Sequence, residues 1–237
     1  MHFADRLTKA IKEKNSAICV GLDPRLDRLP AFILNKAVAE QGQTFTAVAH
    51  AFVEFCKGII DAVHDIVPAV KVQSAFFEEY GFQGVWAYEE VLKYAKSKGL
   101  ITIADVKRND IGSTAEAYAR AYVGKTEFFG EKLPVFDADA LTVSAYLGYD
   151  GIKPFLDACR EEEKGLFVLV RTSNLSSGDL QDRVTVDEQI SISELMGNFV
   201  EAWGAEDLGE SGYSFVGSVV GAPYPKEAAK LRKLMET

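Results

Sequence analysis

The run Ala104-Asp105-Val106-Lys107-Arg108-Asn109-Asp110-Ile111-Gly112-Ser113-Thr114 follows directly on an apolar stretch that opens at Leu100. Alternate residues of an extended strand share a face, so Asp105 and Lys107 are expected on one side, with Asp110 in the loop beyond. Lys71 interrupts a second apolar run, Ala69 to Gln73, and Asp23 terminates a third at Gly21-Leu22-Asp23. Each charge marks the carboxyl end of its run. Half-buried charges are costly unless paired, so lysines and aspartates that converge on one mouth imply an alternating network of opposite charges, as an active site requires. A solvated charge or a strand-end salt bridge is the ordinary reading of any one of these residues. Their recurrence at the ends of three consecutive runs, with the spacing DxKxxD, favours a site.

Six short apolar runs, rich in β-branched residues, recur with helix-periodic segments between them. They are Ala17 to Leu22, Ala69 to Gln73, Leu100 to Val106, Ala140 to Ala145, Leu166 to Arg171 and Ser214 to Gly221. This rhythm predicts an α/β fold, six βα units of a (β/α) barrel, in one domain spanning residues 1–237. Near-continuous hydrophobicity predicts strands buried on both faces. Phe45, Val48, Phe52, Phe55, Ile59 and Val63 step by three and four residues along one helical face. Further covering helices are read at Val85 to Ser97, Thr114 to Val123, Ile152 to Glu162, Ile192 to Trp203 and Pro225 to Met235. A helix from Phe3 to Lys14 is expected to close the bottom of the barrel. Pro30 to Gln43 reads as a polar or irregular insertion, and Ser173 to Glu188 as a polar connection. Both follow strands, on the side where βα loops carry function.

A net charge of -9 opposes a broad basic surface, so a small molecule is expected in place of nucleic acid. Local lysines and backbone amides can still hold an anion. The charged amino-terminal segment lacks the form of a signal peptide, and no apolar run reaches membrane-spanning length, which predicts a cytoplasmic protein. Cys19, Cys56 and Cys159 form no CxxC pair and read as buried, reduced thiols. His2, His50 and His64 lack metal-ligand spacing, and Asp137 and Asp139 read as a solvated acidic loop. Nucleotide-binding P-loop, GxGxxG, HExxH and GxSxG motifs are absent. No metal site is therefore predicted.

The DxKxxDIGST run, with Lys71 in Val70-Lys71-Val72-Gln73-Ser74-Ala75-Phe76-Phe77-Glu78 and with Gly21-Leu22-Asp23-Pro24, resembles the bacterial second subgroup of orotidine 5'-phosphate decarboxylases. The resemblance continues through Leu141-Thr142-Val143, Tyr146-Leu147-Gly148, Arg171-Thr172-Ser173-Asn174, Gly178-Asp179-Leu180-Gln181, Val220-Gly221-Ala222 and Tyr224-Pro225. It implies a homodimeric lyase of pyrimidine biosynthesis that converts orotidine 5'-phosphate to uridine 5'-monophosphate without a cofactor. Lys71, Asp105, Lys107 and Asp110 match the family's catalytic array. Lys107 matches the lysine that protonates carbon 6, Asp105 the carboxylate near the departing group, and Asp110 the aspartate that reaches the neighbouring subunit's site. Asp23, Lys71 and Thr114 match ribose-contacting positions, and Ser173 a serine that contacts the pyrimidine. Ser113 and Thr114 also suit a helix cap.

Leu175-Ser176 replaces the Pro-Gly that often follows the asparagine in such proteins. The resemblance implies a TIM-type (β/α) barrel of eight βα units, six of eight present here; the two that follow Thr237 in the family carry a Gly-rich loop and an arginine that hold the phosphate. Gly221-Ala222-Pro223 is the remaining candidate for a phosphate site of backbone amides. Two other readings stand beside the first: a metal-dependent phosphate-sugar decarboxylase of the same superfamily, and a truncated, non-catalytic barrel fragment.

Overall fold

The computed structural model describes residues 1–236; Thr237, where further units were expected to follow, lies outside them. The chain divides into two compact units, one of Met1–Arg6, Lys107–Arg120 and Leu141 onward, the other of Leu7–Val106 and Ala121–Ala140.

In the second of these, β1 (Cys19–Leu22), β2 (Ala69–Gln73) and β3 (Ile101–Arg108, as far as Val106) run parallel. Cys19 pairs with Ala69 and Ala69 with Ile101, so the amino ends fall in register. Helix α1 (Phe3–Lys14) precedes β1, while α2 (Ala31–Gln41) and α3 (Phe45–Val63) separate β1 from β2. The short α4 (Ala75–Glu78) and then α5 (Gly81–Ser97) separate β2 from β3. The Thr44 hydroxyl caps α3 by accepting the Ala47 N–H at 3.2 Å. Its buried residues include Phe52, Cys56 and Ile60, while Phe45 is exposed. The inner face is therefore turned from the one expected, because small alanines and a cysteine occupy positions that counting only large residues overlooks. Phe52 and Ile60 are fully buried, each contributing about 1.5–3 kcal/mol relative to exposure.

Residues 30–43 are not irregular. Pro30 stands at the amino end of α2 and Gly42, with φ 68°, ends it, while Ile33 and Ala37, four residues apart, are buried. Beyond α6 (Gly112–Tyr122), a hairpin of β4 (Thr126–Phe128) and β5 (Glu131–Leu133) also lies outside the sequence expectation. Its two central residues, Phe129 and Gly130, both have positive φ, the requirement of a primed turn. Phenylalanine in the position usual for asparagine concealed the signal.

In the other unit, the end of β3 lies beside β6 (Ala140–Val143), and the order continues β6, β7 (Gly165–Arg171), β8 (Val216–Val220). The Ser144 N–H donates to the Arg108 carbonyl at 2.9 Å. Helix α7 (Tyr149–Glu162) links β6 to β7, α8 (Gly178–Gln181) and α9 (Ile192–Gly204) link β7 to β8, and α10 (Pro225–Leu234) follows. Ser191 and Glu194 close a reciprocal capping box at the start of α9. At the amino end of β7, Phe3 packs its ring edge-on against Phe167, with centroids 6.1 Å apart. The Asp5 carboxylate accepts the N–H groups of Glu210 and Ser211, tying the first turn of α1 to the segment before β8.

The succession of strand then helix is thus completed six times, as the sequence predicts. Burial is uneven. Residues of β6 are all buried and β3 is buried from Ile101 to Val106, whereas β1 and β8 are largely half-buried or exposed. The expectation of strands covered on both faces fails for these two. Cys19 is accordingly exposed, against the expectation of three buried thiols; Cys56 and Cys159 are buried.

Candidate active site

Lys71 and Asp105 form the best-defined part of the site. In the parallel pairing of β2 with β3, Lys71 lies opposite Ile103 and Gln73 opposite Asp105. The lysine side chain reaches forward along the sheet, and its Nζ donates to Asp105 Oδ2 at 2.6 Å. Gln73 Nε2 donates to the same oxygen at 3.0 Å. The Asp105 side chain is 8% exposed and that of Lys71 34%. A carboxylate this buried loses several kcal/mol of hydration, which the Lys71 charge and the directed Gln73 amide help to offset. Gln73 was missed by sequence reasoning, although its place two residues after Lys71 puts it on the same strand face.

Asp23 follows β1 directly and is exposed. A Cβ on Gly21 would lie 2.7 Å from Asp23 Oδ2, so the absence of a side chain at Gly21 leaves that carboxylate room. Asp139 corrects the expectation of a solvated acidic loop: it is 3% exposed. Its Oδ2 accepts from the Thr102 N–H and hydroxyl, while the Thr102 hydroxyl accepts the Asp139 N–H. This closed pair belongs to the amino ends of the strands, away from the ends that carry Lys71 and Asp105. Burial pushes the Cys56 thiol up to about 12, leaving it an inert neutral group.

At the end of β3 the backbone changes character. Lys107 has φ 45°, a left-handed conformation uncommon for a residue with a side chain. Asp105 is buried, and Lys107, two residues further along β3, is exposed. The Lys107 N–H donates to Thr142 Oγ1 at 3.0 Å. Asp110 is half-buried, and its Oδ1 accepts the Ile111 N–H at 2.9 Å. Helix α6 begins at Gly112, so Ser113 and Thr114 sit inside its first turn and not at a cap; both are exposed.

Ser173 is exposed just beyond β7. The connection expected to be simply polar is braced in several places. Gln181 Oε1 accepts the Thr172 N–H at 2.9 Å, and Gln181 Nε2 donates to the Thr172 hydroxyl at 2.8 Å. Arg171, 2% exposed, pairs with Asp182 at 2.7 Å and stacks over the Tyr224 ring at 4.0 Å. The Tyr224 hydroxyl lies 3.0 Å from the Ser177 hydroxyl. A Cβ on Gly221 would come within 3.0 Å of the Ser173 backbone, so only glycine fits there without displacement. The Gly221 N–H donates to the Arg171 carbonyl at 2.7 Å, which removes that amide from the phosphate site proposed for Gly221-Ala222-Pro223. Among the described residues, no group of three or more His, Cys, Asp or Glu side chains is placed to hold a metal ion. No helix among them is long and apolar enough to cross a membrane.

Charged groups at the carboxyl ends of parallel strands, in a chain of repeated βα units, define an enzyme of the TIM-type (β/α) barrel class. Residues 16–231 match the profile of the orotidine 5'-phosphate decarboxylase / HUMPS family, and the chain belongs to that family. It is 47% identical over 235 residues to an orotidine 5'-phosphate decarboxylase of Rhodopirellula baltica, covering 99% of this chain and 75% of the relative. A protein of the same name from Caldicellulosiruptor bescii is 41% identical, with 99% and 76% covered. The solved structure of Leishmania donovani OMP decarboxylase is 34% identical, with a TM-score of 0.75, covering 100% of this chain and 77% of that one. The chain thus spans about three quarters of the length of these relatives, and as a member of the family it is an enzyme of the carbon–carbon lyase type.

Proposed function

We propose that this chain decarboxylates orotidine 5'-phosphate to uridine 5'-monophosphate, the closing step of pyrimidine nucleotide synthesis, in the cytoplasm and without a cofactor. The observation that carries the reading is the part-buried Lys71–Asp105 pair, whose aspartate stands two residues before Lys107 on β3. In the proposed reaction the bond between carbon 6 and the carboxylate breaks, its electron pair stays on carbon 6, and carbon dioxide leaves. The Lys107 ammonium gives its proton to carbon 6, completing uridine 5'-monophosphate, and the neutral amine regains a proton from water. A fixed cation beside a developing carbanion lowers the barrier because it needs no reorganisation as the charge forms.

Asp105 sits near the departing carboxylate in this reading, and Asp110 completes the site of a second subunit in a homodimer. Asp23, Lys71 and Thr114 engage the ribose and Ser173 the pyrimidine. The names of the relatives at 41% and 47% identity support this substrate over a keto-sugar phosphate.

The test is turnover of orotidine 5'-phosphate by the purified chain, followed by loss of substrate absorbance and formation of the product. Lys107→Ala is expected to abolish turnover with the fold retained. Near-normal turnover in that variant removes Lys107 from the role. Magnesium-dependent turnover of a keto-sugar phosphate, with none of orotidylate, overturns the substrate assignment.

A further inference from the structure

We infer that Thr142 is a positioning residue for catalysis, acting through the backbone of Lys107; this rests on the proton-donor role proposed above for Lys107. The left-handed φ of 45° at Lys107 is an unfavourable conformation for a residue with a Cβ and persists only where its surroundings hold it. One such hold is explicit: the Lys107 N–H donates to Thr142 Oγ1 at 3.0 Å. One residue further, the Ser144 N–H donates to the Arg108 carbonyl at 2.9 Å, so the strand end is fastened on both sides of the Lys107–Arg108 peptide.

Thr142 is suited to be the fixed member of this pair. It lies in β6, is 3% exposed, and is flanked by Leu141 and Val143, both fully buried. A β-branched side chain in a packed strand has little rotamer freedom, so its hydroxyl is held where the backbone of β6 puts it. Lys107, by contrast, is exposed. The direction in which Cα of Lys107 launches its side chain follows from φ. A backbone that relaxes toward ordinary extended geometry re-aims the ammonium before any change reaches the groups that bind substrate.

Thr142→Val keeps the shape of the side chain and removes the acceptor; Thr142→Ser keeps the acceptor and removes a methyl. For Thr142→Val the expected result is a fall in kcat of order 100-fold, the scale of a misplaced catalytic group, with KM changed by less than about threefold. Thr142→Ser is expected to recover most of the lost kcat. A purely structural role would lower the unfolding midpoint while leaving kcat of the folded enzyme intact, and that outcome overturns the inference. Failure of Thr142→Ser to exceed Thr142→Val also overturns it. Should Thr142→Val not fold, Thr142→Ala against Thr142→Ser gives the same comparison under the same criteria. Lys107→Ala, measured alongside, separates the two readings. If it abolishes turnover while Thr142→Val retains kcat, only the positioning role fails; if it retains turnover, the donor role fails and the inference with it.

Discussion

The ammonium of Lys71 lies 2.6 Å from Oδ2 of Asp105, on an adjacent parallel strand whose register places Gln73, and not Lys71, directly opposite the aspartate. The lysine therefore reaches forward by two residues to bridge the carboxyl ends of β2 and β3. Asp105 is the buried member and Lys71 the partly exposed one, which sets an asymmetry in what each loss costs.

Lys71→Ala leaves the Asp105 carboxylate buried with its Gln73 hydrogen bond but without the cation. A loss of about 2–4 kcal/mol is expected, toward the lower end because Lys71 is partly solvated. Asp105→Asn in the same background should restore part of the stability by removing the charge that Lys71 had faced. A double-mutant cycle by urea denaturation checks this; a coupling energy indistinguishable from zero would show that the pair contributes nothing.

Arg171 is buried against the Tyr224 ring and paired with Asp182 at the foot of the Ser173 segment. Arg171→Lys keeps the charge but loses the planar group that both stacks and forks, so it should behave nearly as poorly as Arg171→Leu. Each is expected to cost about 2–3 kcal/mol and to raise KM for the nucleotide more than it lowers kcat. Full rescue by lysine, in thermal melts and in KM, contradicts this.

Gly221→Ala places a methyl within 3.0 Å of the Ser173 backbone, where only main-chain movement makes room. The expected penalty is about 1–3 kcal/mol, with weaker binding of uridine 5'-monophosphate measured by calorimetry. Unchanged affinity would mean that the Ser173 segment yields without consequence for the ligand.

Glu194 caps α9, and its carboxyl is held below the usual glutamate value of 4.5, first by the Lys230 ammonium and, against the opposing effect of burial, also by Ser191. A carboxyl with a lower folded than unfolded pKa binds fewer protons when folded, so its stabilisation is complete above the unfolded value. That stabilisation is lost as pH falls through the folded value. Urea melts from neutrality downward should show the gap between the parent chain and Glu194→Gln narrowing below 4.5. A gap that widens on acidification reverses the sign and excludes the linkage.

Much of the fold was legible because its signals are local. The run Ala69 to Gln73 coincides with β2, and the helix read from Phe3 to Lys14 coincides with α1. The hairpin at Thr126–Leu133 was not legible, because its turn uses Phe129 in a conformation more often left to asparagine or glycine. α2 was hidden by Asn35 and Lys36, which break the apolar run on the face that its helix leaves outside. The exposure of Cys19 was illegible for another reason: composition cannot distinguish an outer strand from a covered one.

The sequence by itself determined which charges close which strands, since an apolar run ending in Asp or Lys is a property of neighbours along the chain. It also carried the family, through motifs spread from Gly21 to Pro225. Only the tertiary structure decided that Lys71 bonds Asp105 across the sheet, that Gln73 shares that oxygen, and that Lys107 leaves extended geometry with its N–H on Thr142. Such contacts depend on strand register and on a left-handed φ. Both are settled by the balance of packing and hydrogen bonds between segments distant in sequence, which no local pattern records.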